Sequence, residues 1–343
     1  IMAYTTINKP NTQMNTVLYT GNGGTQSITG VGFQPDWTWL KARNEAASHE
    51  LFDANRGVTK TINSNTNNAE ATQTDSLTAF GSDGFTLGSN GDINYNNSTY
   101  VGWNWKAGGT ASSNTDGSIT SSVSANTTSG FSVVTFTGTG SNATIGHGLG
   151  VKPDAVFFKR LDTTGGWASY HSVLGATKYM RLDTNSGEQT ASDEFQNTEP
   201  TSSVISIGTD GAVNGTSMVA YCFADVKGFS KFNSYVGNGS TDGPFIFTGF
   251  KPAFVLIKKS NTSGTDWQLT DNKRDLHNVC THRLLPNDSI AEQTDSLDLD
   301  ILSNGFKIRK SSTTSNASGA TYIYLAFAEN PLVGTNNVPA TAR

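Results

Sequence analysis

Short runs of apolar or alternating residues, separated by polar turns, follow one another along the whole chain. The strongest is a Gly-x-x-Pro turn that leads into an apolar run ending in a basic residue. This pattern predicts a buried strand entered from a turn, and we expect its terminal lysine to reach water. It occurs three times, marked by Pro35, Pro153 and Pro252 and ending at Lys41, Lys159 and Lys258.

The three marker prolines show that the repeating unit is a whole small domain. Pro35 and Pro153 are 118 residues apart, and Pro153 and Pro252 are 99 apart, which is too long for a solenoid or propeller period. A second apolar run closes each unit, beginning 65, 65 and 70 residues after its proline: Tyr100–Trp105, Met218–Phe223 and Tyr322–Phe327. Because both runs are apolar on both faces in places, we expect them to lie centrally in packed sheets.

These patterns predict an all-β protein of three tandem homologous β-sandwich units, jelly-roll or lectin-like. We expect a short helix or irregular insertion at 272–285. Residues 108–129 are either a linker or polar strands. The predicted divisions are an N-terminal arm at 1–14, units at 15–107, 130–227 and 228–332, the 108–129 segment, and a C-terminal tail at 333–343.

The composition supports this fold and argues against several functions. Charged residues are only 15% of the chain, and the 36 glycines accompany many Ser, Thr and Asn, as expected of strands joined by turns. The net charge of −5 and the lack of a basic block argue against nucleic acid. No apolar run is long enough to insert into a membrane, and no Sec-type signal is expected. The two cysteines, Cys222 and Cys280, are expected to be reduced packing residues.

The polar residues give little sign of catalysis or of a metal site. The candidate acids are Asp53, Asp75, Asp83 and their counterparts. Asp75 and Asp295 each precede a serine at a loop end and are interpreted as turn-capping residues rather than general acids, and no catalytic residue is expected. The five histidines lack partners at zinc spacing, and no metal or cofactor is expected. His49 and His171 fall near equivalent points of their units. A half-buried polar role is favoured for both over a functional one.

Tryptophans are the most suggestive residue class. Trp37, Trp39, Trp103 and Trp105 are favoured as core residues over sugar-stacking ones. Trp167 and Trp267 each follow their proline by 14 or 15 residues, where a loop meets a strand. We therefore interpret Trp167 and Trp267 as ligand or interface candidates, together with His49 and His171.

Four motifs, at 19–23, 30–37, 82–88 and 103–109, resemble the repeats of uncharacterised structural proteins of marine bacteriophages. The resemblance covers nearly the whole chain and carries no catalytic residues. It implies a virion component, a tail-fibre or surface protein with a lectin-like fold. Such a protein assembles in the host cytoplasm and becomes extracellular after lysis.

The leading hypothesis is therefore a non-enzymatic structural protein on the virion exterior, a tail appendage or fibre component involved in host attachment. A capsid decoration protein is one alternative. A carbohydrate-binding, lectin-like module that recognises host glycans through Trp167 and Trp267 is another, and a surface depolymerase is the least favoured. The expected partners are other virion proteins, further copies in a homo-oligomer, and a host surface glycan.

Overall fold

The computed structural model describes residues 4–294, 298–334 and 339. The protein is all-β, as predicted. Within the described residues, no helix is long and apolar enough to cross a bilayer. The helical elements are single turns: the 3-10 turn Pro10–Thr12 and the α-helices α1 (Gly91–Asn94), α2 (Ser192–Phe195) and α3 (Gly211–Asn214).

The first group of strands forms a six-stranded sheet and a three-stranded sheet. Its strands are β1 (Met14–Thr20), β2 (Gln26–Ile28), β3 (Trp37–Ala42), β4 (Glu50–Asp53), β5 (Lys60–Asn63), β6 (Ala71–Thr72), β7 (Leu77–Gly81), β8 (Gly84–Leu87) and β9 (Thr99–Trp105). The large sheet has the order β1-β9-β3-β4-β5-β6, and the small sheet has the order β2-β8-β7.

The second group repeats this plan with a six-stranded sheet and two strand pairs. Its strands are β10 (Ser112–Asn114), β11 (Ser121–Asn126), β12 (Phe131–Phe136), β13 (Ala143–Gly146), β14 (Ala155–Arg160), β15 (Ala168–His171), β16 (Lys178–Tyr179), β17 (Gln189–Thr190), β18 (Val204–Ile207) and β19 (Met218–Phe223). The large sheet has the order β10-β11-β12-β19-β14-β15, and the pairs are β13-β18 and β16-β17.

The third group has a four-stranded and a three-stranded sheet. Its strands are β20 (Ser230–Val236), β21 (Phe245–Phe247), β22 (Phe250–Lys259), β23 (Gln268–Asp271), β24 (Leu299–Leu302), β25 (Gly305–Ile308) and β26 (Thr321–Pro331). The sheet orders are β20-β26-β22-β23 and β21-β25-β24.

The predicted central strands are central. The closing strands β9, β19 and β26 each lie between two neighbours, one of which is the proline strand β3, β14 or β22. The 108–129 segment contains the polar strands β10 and β11, which extend the second large sheet, and so it is not a free linker. Residues 272–285 form no helix and contain only isolated bridges, which agrees with an irregular insertion.

Each group encloses an apolar cluster between its large sheet and its smaller sheet or strand pair. In the first group Leu40 and Phe52 of the large sheet pack with Phe85 and Leu87 of the small one. Clusters of the same kind fill the second and third groups. The opposite faces of the three large sheets share one further cluster, to which all three groups contribute.

The three large sheets meet at the last aromatic residue of each closing strand. The rings of Trp105, Phe223 and Phe327 touch one another edge to face, with centroids 6.4, 5.6 and 5.8 Å apart for Trp105–Phe223, Trp105–Phe327 and Phe223–Phe327. This geometry is a favourable one for aromatic pairs. The chain therefore folds around one aromatic centre to which each strand group contributes an equivalent residue.

Candidate functional site

Trp167 and Trp267 lie inside the molecule, at contacts between neighbouring strand groups. Their side chains are 0% and 1% exposed. The Nε1–H of Trp167 donates to the carbonyl of Asn63 at 2.9 Å, and the Nε1–H of Trp267 donates to the carbonyl of Arg181 at 2.9 Å. Neither indole offers a face to solvent, so of the two predicted alternatives, ligand or interface, the ligand one is wrong. They fill the space where one group packs on the next.

His49 occupies the corresponding place in the first group. It immediately precedes β4, as Trp167 precedes β15 and Trp267 precedes β23. Its Nδ1 accepts a hydrogen bond from Nε1 of Trp39 at 2.8 Å. Burial lowers the pKa of His49 well below its ordinary value, and the neighbouring Lys41 lowers it further. His49 is therefore a neutral, fully buried packing residue that is closed to ligands, and its predicted half-buried role is wrong.

His171 is not the counterpart of His49. It is the last residue of β15, the position that Asp53 holds in β4 and Asp271 holds in β23. Its side chain is 3% exposed, and its Nε2 lies 3.4 Å from the carbonyl oxygen of Tyr324 in the third group. Burial lowers its pKa to about 4. The predicted near-equivalence with His49 and the half-buried role are both wrong, and His171 cannot reach a ligand in solution.

The lysines that end the proline strands also point inward. Lys41, Lys159 and Lys258 are each 0% exposed, so the expectation that they reach water is wrong. The ammonium group of Lys159 donates to the carbonyls of Gly165 at 2.6 Å and of Asn67, in the first group, at 3.2 Å. Burial lowers the pKa of each of the three lysines to about 8.

The other two lysines make related contacts. Lys258 donates to the carbonyls of Thr265 at 2.6 Å and of Asn185, in the second group, at 3.3 Å. Lys41 donates to the carbonyl of Ala42 at 2.7 Å. In each position the ammonium group satisfies buried backbone oxygens, and for Lys159 and Lys258 one of these oxygens belongs to the neighbouring group.

A backbone hydrogen bond at each of three junctions closes the groups into a ring. A glutamate N–H in one group donates to a carbonyl of the next: Glu70 to Leu161 at 2.9 Å, Glu188 to Ser260 at 2.7 Å, and Glu292 to Arg43 at 2.7 Å. We call these the first, second and third junctions. The third joins the last group back to the first, so each group contacts both others.

Buried charges are paired at the first junction. The guanidinium of Arg56 contacts Asp53 at 2.5 Å and Glu70 at 3.1 Å. The hydroxyl of Tyr221, from the second group, donates to the same Asp53 oxygen at 2.7 Å. The Asp53 carboxylate is thus engaged by a cation and a phenol, and it is not available as a general acid or base.

The third junction has a matching cluster. Arg274 contacts Asp271 at 2.6 Å and Glu292 at 2.9 Å, and Arg43 of the first group contacts Glu292 at 2.7 Å. The Nε1–H of Trp103 donates to Asp271 at 3.0 Å. Burial alone would raise the pKa of Asp271, but the charge and hydrogen bonds of Arg274 hold it below its usual value.

The second junction lacks this aspartate–arginine pair, although its Glu188 is paired with Lys178. His171 stands where the other groups have Asp53 and Asp271, and Leu174 stands where they have Arg56 and Arg274. Leu174 packs against the shared apolar cluster. The same backbone geometry therefore accepts an ion pair at two junctions and a neutral, largely apolar pair at the third.

The other candidate acids are Asp75, Asp83 and Asp295. The Asp83 carboxylate accepts the backbone N–H groups of Gly30 at 3.1 Å and Gly32 at 2.6 Å, which is a turn-stabilising role. Asp75 is exposed, and Asp295 lies outside the described residues. Over the part of the chain that the structure describes, no three His, Cys, Asp or Glu side chains are grouped as metal ligands would be.

A polar groove lies open beside the first junction. It encloses about 550 Å³, and hydroxyl and amide side chains from both groups form most of its wall, including Asn55, Ser113, Thr120, Ser122 and Thr137. Arg56 and Glu70 also line the groove. This surface can hydrogen-bond a hydroxylated ligand, but no tryptophan lines it.

Sequence reasoning missed a buried asparagine in each group. The side chains of Asn94, Asn214 and Asn316 are each 2% exposed or less, and each bonds the backbone of two different loops. Asn214, for example, donates to the carbonyls of Ser141 at 2.7 Å and Gly208 at 2.6 Å. The available signal was an Asn four to six residues before each closing apolar run.

Comparison with known proteins identifies the family. The chain belongs to the family described as Domain of unknown function (DUF7483), whose model matches residues 9–331 and so spans all three strand groups. No curated protein and no solved structure matches the chain.

Proposed function

We propose that the chain consists of three tandem homologous β-sandwich units, jelly-roll or lectin-like, closed into a ring. We further propose that it is a non-enzymatic structural protein of a bacteriophage virion exterior, a tail appendage or fibre component that takes part in host attachment. The observation that carries the proposal is the set of three junctions around the centre formed by Trp105, Phe223 and Phe327.

The ring supports a mechanical role rather than a chemical one. The residue types that would serve catalysis or ligand capture, such as Asp53 and Trp167, are used within the junctions. Close packing of the shared core resists deformation, because cores of native density have low compressibility. The resemblance to phage structural proteins implies that the protein is part of a virion, which is assembled in the host cytoplasm and released by lysis.

Imaging of purified particles tests this proposal. Antibody labelling, or density fitted with the ring of three units, is expected on the tail or its appendages. Density on the capsid surface would favour the alternative of a decoration protein. A protein found in no external feature of the particle would contradict the proposal.

The polar groove at the first junction favours a second candidate function, carbohydrate binding by a lectin-like module. A glycan array of the intact chain is expected to show binding that falls at least about tenfold in Ser113→Ala/Thr137→Ala, since about 1.4 kcal/mol corresponds to a factor of ten. Ser27→Ala, on β2, is the matched control and should bind as the wild type does. No binding by the wild type would contradict this second function.

A further inference from the structure

The outer strand of the third small sheet carries two exposed aromatic residues. β21 is an edge strand that pairs with β25 on one side only. Ile246 faces the core at 5% exposure, whereas Phe245 and Phe247 are 45% and 57% exposed. No other described segment pairs with the outer edge of β21. Exposed apolar edge strands are templates for pairing with another chain, and proteins usually block them with charge, proline or a covering segment.

The other two strand groups show that the aromatic pair is not required by the fold. Each small sheet or pair has a corresponding strand with one buried isoleucine, Ile28 in β2 and Ile145 in β13. Around Ile28 the exposed positions are Ser27 and Thr29, in place of the two phenylalanines. The fold accepts Ser and Thr at the corresponding positions of the first group, so phenylalanine is not needed there to build the sheet. The rings of Phe245 and Phe247 lie partly against the backbone of Gly305 and Gly249, and about half of each remains open to an external contact.

The second group shows that this edge accepts a further backbone segment. Ile119 forms a parallel bridge to Ile145 of β13, and its N–H donates to the carbonyl of Thr144 at 3.0 Å. The N–H of Ser118 donates to the hydroxyl of Thr144 at 2.8 Å, and the hydroxyl of Ser121 donates to the carbonyl of Gly146 at 2.9 Å. The edge of β13 is therefore covered by the chain itself, whereas β21 has no such cover among the described residues.

We propose that β21 is a self-association surface, at which two copies of this chain pair their β21 strands antiparallel about a twofold axis through Ile246. The sequence Phe245-Ile246-Phe247 reads the same in both directions, so this register places Phe245 of each copy opposite Phe247 of the other. Cross-strand aromatic pairs stabilise antiparallel ladders, and a strand without charges brings no like charges together across the axis. An isologous contact of this kind is the commonest form of homo-oligomer interface.

The size of the patch sets the strength of the contact. Two half-exposed phenylalanines contribute roughly 200 Å² per copy, well below the roughly 800 Å² per partner of a standard stable interface. The isolated protein therefore forms a weak, concentration-dependent dimer. Such a contact becomes strong only where many copies are held close together, as on an assembled particle. The pairing of two β21 strands follows from the strand geometry and does not depend on the proposal that the protein belongs to a virion.

Sedimentation of the full chain from about 10 µM to about 1 mM tests the contact, a range suited to weak association. The wild type is expected to shift from monomer towards dimer, and Phe245→Ser/Phe247→Thr, which installs the residues found beside Ile28, is expected to stay monomeric. Leu18→Ser, which removes an exposed apolar residue from β1, is the matched control and should dimerise normally. A monomeric wild type over the whole range, or an equally dimeric double variant, would overturn the proposal.

Disulfide trapping tests the register and does not depend on weakening the fold. An equimolar mixture of the single variants Phe245→Cys and Phe247→Cys should oxidise to a mixed dimer. Directly opposed Cβ atoms lie about 5 Å apart, whereas the diagonal Phe245–Phe245 and Phe247–Phe247 positions are about 7–8 Å apart and too distant for an unstrained bond. The two native cysteines are buried and should not compete. Equal cross-linking in the single variants alone and in the mixture would refute this register.

Discussion

Each large sheet contains a buried lysine whose ammonium group donates hydrogen bonds to backbone carbonyls. Burial lowers the pKa of Lys41, Lys159 and Lys258 from 10.5 to about 8. The pKa of each lysine is lower in the folded protein than in the unfolded chain. Below about pH 8 the lysine is protonated in both, and its buried charge then disfavours folding. As the pH rises from about 8 to about 10.5, the unfolded chain binds protons that the folded protein does not, so the free energy of unfolding rises.

We therefore predict that the protein becomes more stable between about pH 8 and pH 9.5. Each lysine contributes a slope of at most about 1.4 kcal/mol per pH unit. Lys159→Met should reduce this slope and lower stability overall, because the carbonyls of Gly165 and Asn67 lose their donor. Urea unfolding at several pH values measures both effects.

The exposed Lys106 provides the control for this series. Lys106→Met should leave the slope of stability against pH unchanged. A free energy of unfolding that falls between about pH 8 and pH 9.5 would contradict the prediction that the buried lysine charges destabilise the fold. A slope for Lys159→Met equal to that of the wild type would contradict it for Lys159.

The lysines also show where residue-scale reasoning from sequence stops. A basic residue at the end of an apolar strand normally marks the surface, and nothing in the local pattern distinguishes Lys159 from such a residue. Its burial depends on the carbonyl of Asn67, which is 92 residues away in the chain. Trp167 was misplaced for the same reason, since its loop is covered by a different strand group.

At the scale of elements, the ends of β4 and β23 carry an aspartate–arginine pair, whereas the equivalent positions at the end of β15 carry a histidine and a leucine. Asp53 and Arg56 form an ion pair where the second junction has His171 and Leu174. Arg56→Leu alone should destabilise the protein by about 3–5 kcal/mol, because it leaves a buried carboxylate without its cation. Asp53→His/Arg56→Leu copies the neutral pair of the second junction and should recover part of that loss.

Denaturant unfolding of the two single variants and the double variant measures the coupling, which is expected to exceed about 1 kcal/mol. Lys152→Leu breaks the exposed Lys152–Glu199 pair and serves as the comparison, with an expected cost under about 1 kcal/mol. Strict additivity of the two single effects would show that Asp53 and Arg56 do not act as a pair.

Most elements were predictable because their signals are local. The marker prolines and the closing apolar runs predicted the central strands β3, β14 and β22 and their neighbours β9, β19 and β26. Residues 108–129 were predicted as either a linker or polar strands, and they contain the polar strands β10 and β11. What the pattern did not reveal was that residues 118–121 cover the edge of β13, because pairing partners depend on tertiary structure.

At the scale of the whole molecule, the sequence predicted three units but not their ring. The aromatic residues that end the closing strands, Trp105, Phe223 and Phe327, look like core residues of three separate domains. Their mutual contact requires all three large sheets to face inward, and no spacing along one chain encodes that arrangement. The extent of the matched family, residues 9–331, is consistent with the three groups forming a single structural unit.

A shared core predicts that the chain unfolds as one cooperative unit, although its length would suit several independent domains. Calorimetry should give one transition whose calorimetric and van't Hoff enthalpies agree.

Phe223→Ala, at the centre, should destabilise the protein by about 3–5 kcal/mol, as other large-to-small core changes do. Because the Phe223 ring touches residues of all three groups, this variant should also weaken the coupling between them and broaden the transition. Phe158→Ala, inside the second group's own cluster, should lower the transition temperature without broadening it. Three separate transitions in the wild type, or a Phe223→Ala effect confined to one of them, would show that the strand groups fold independently and only touch at the centre.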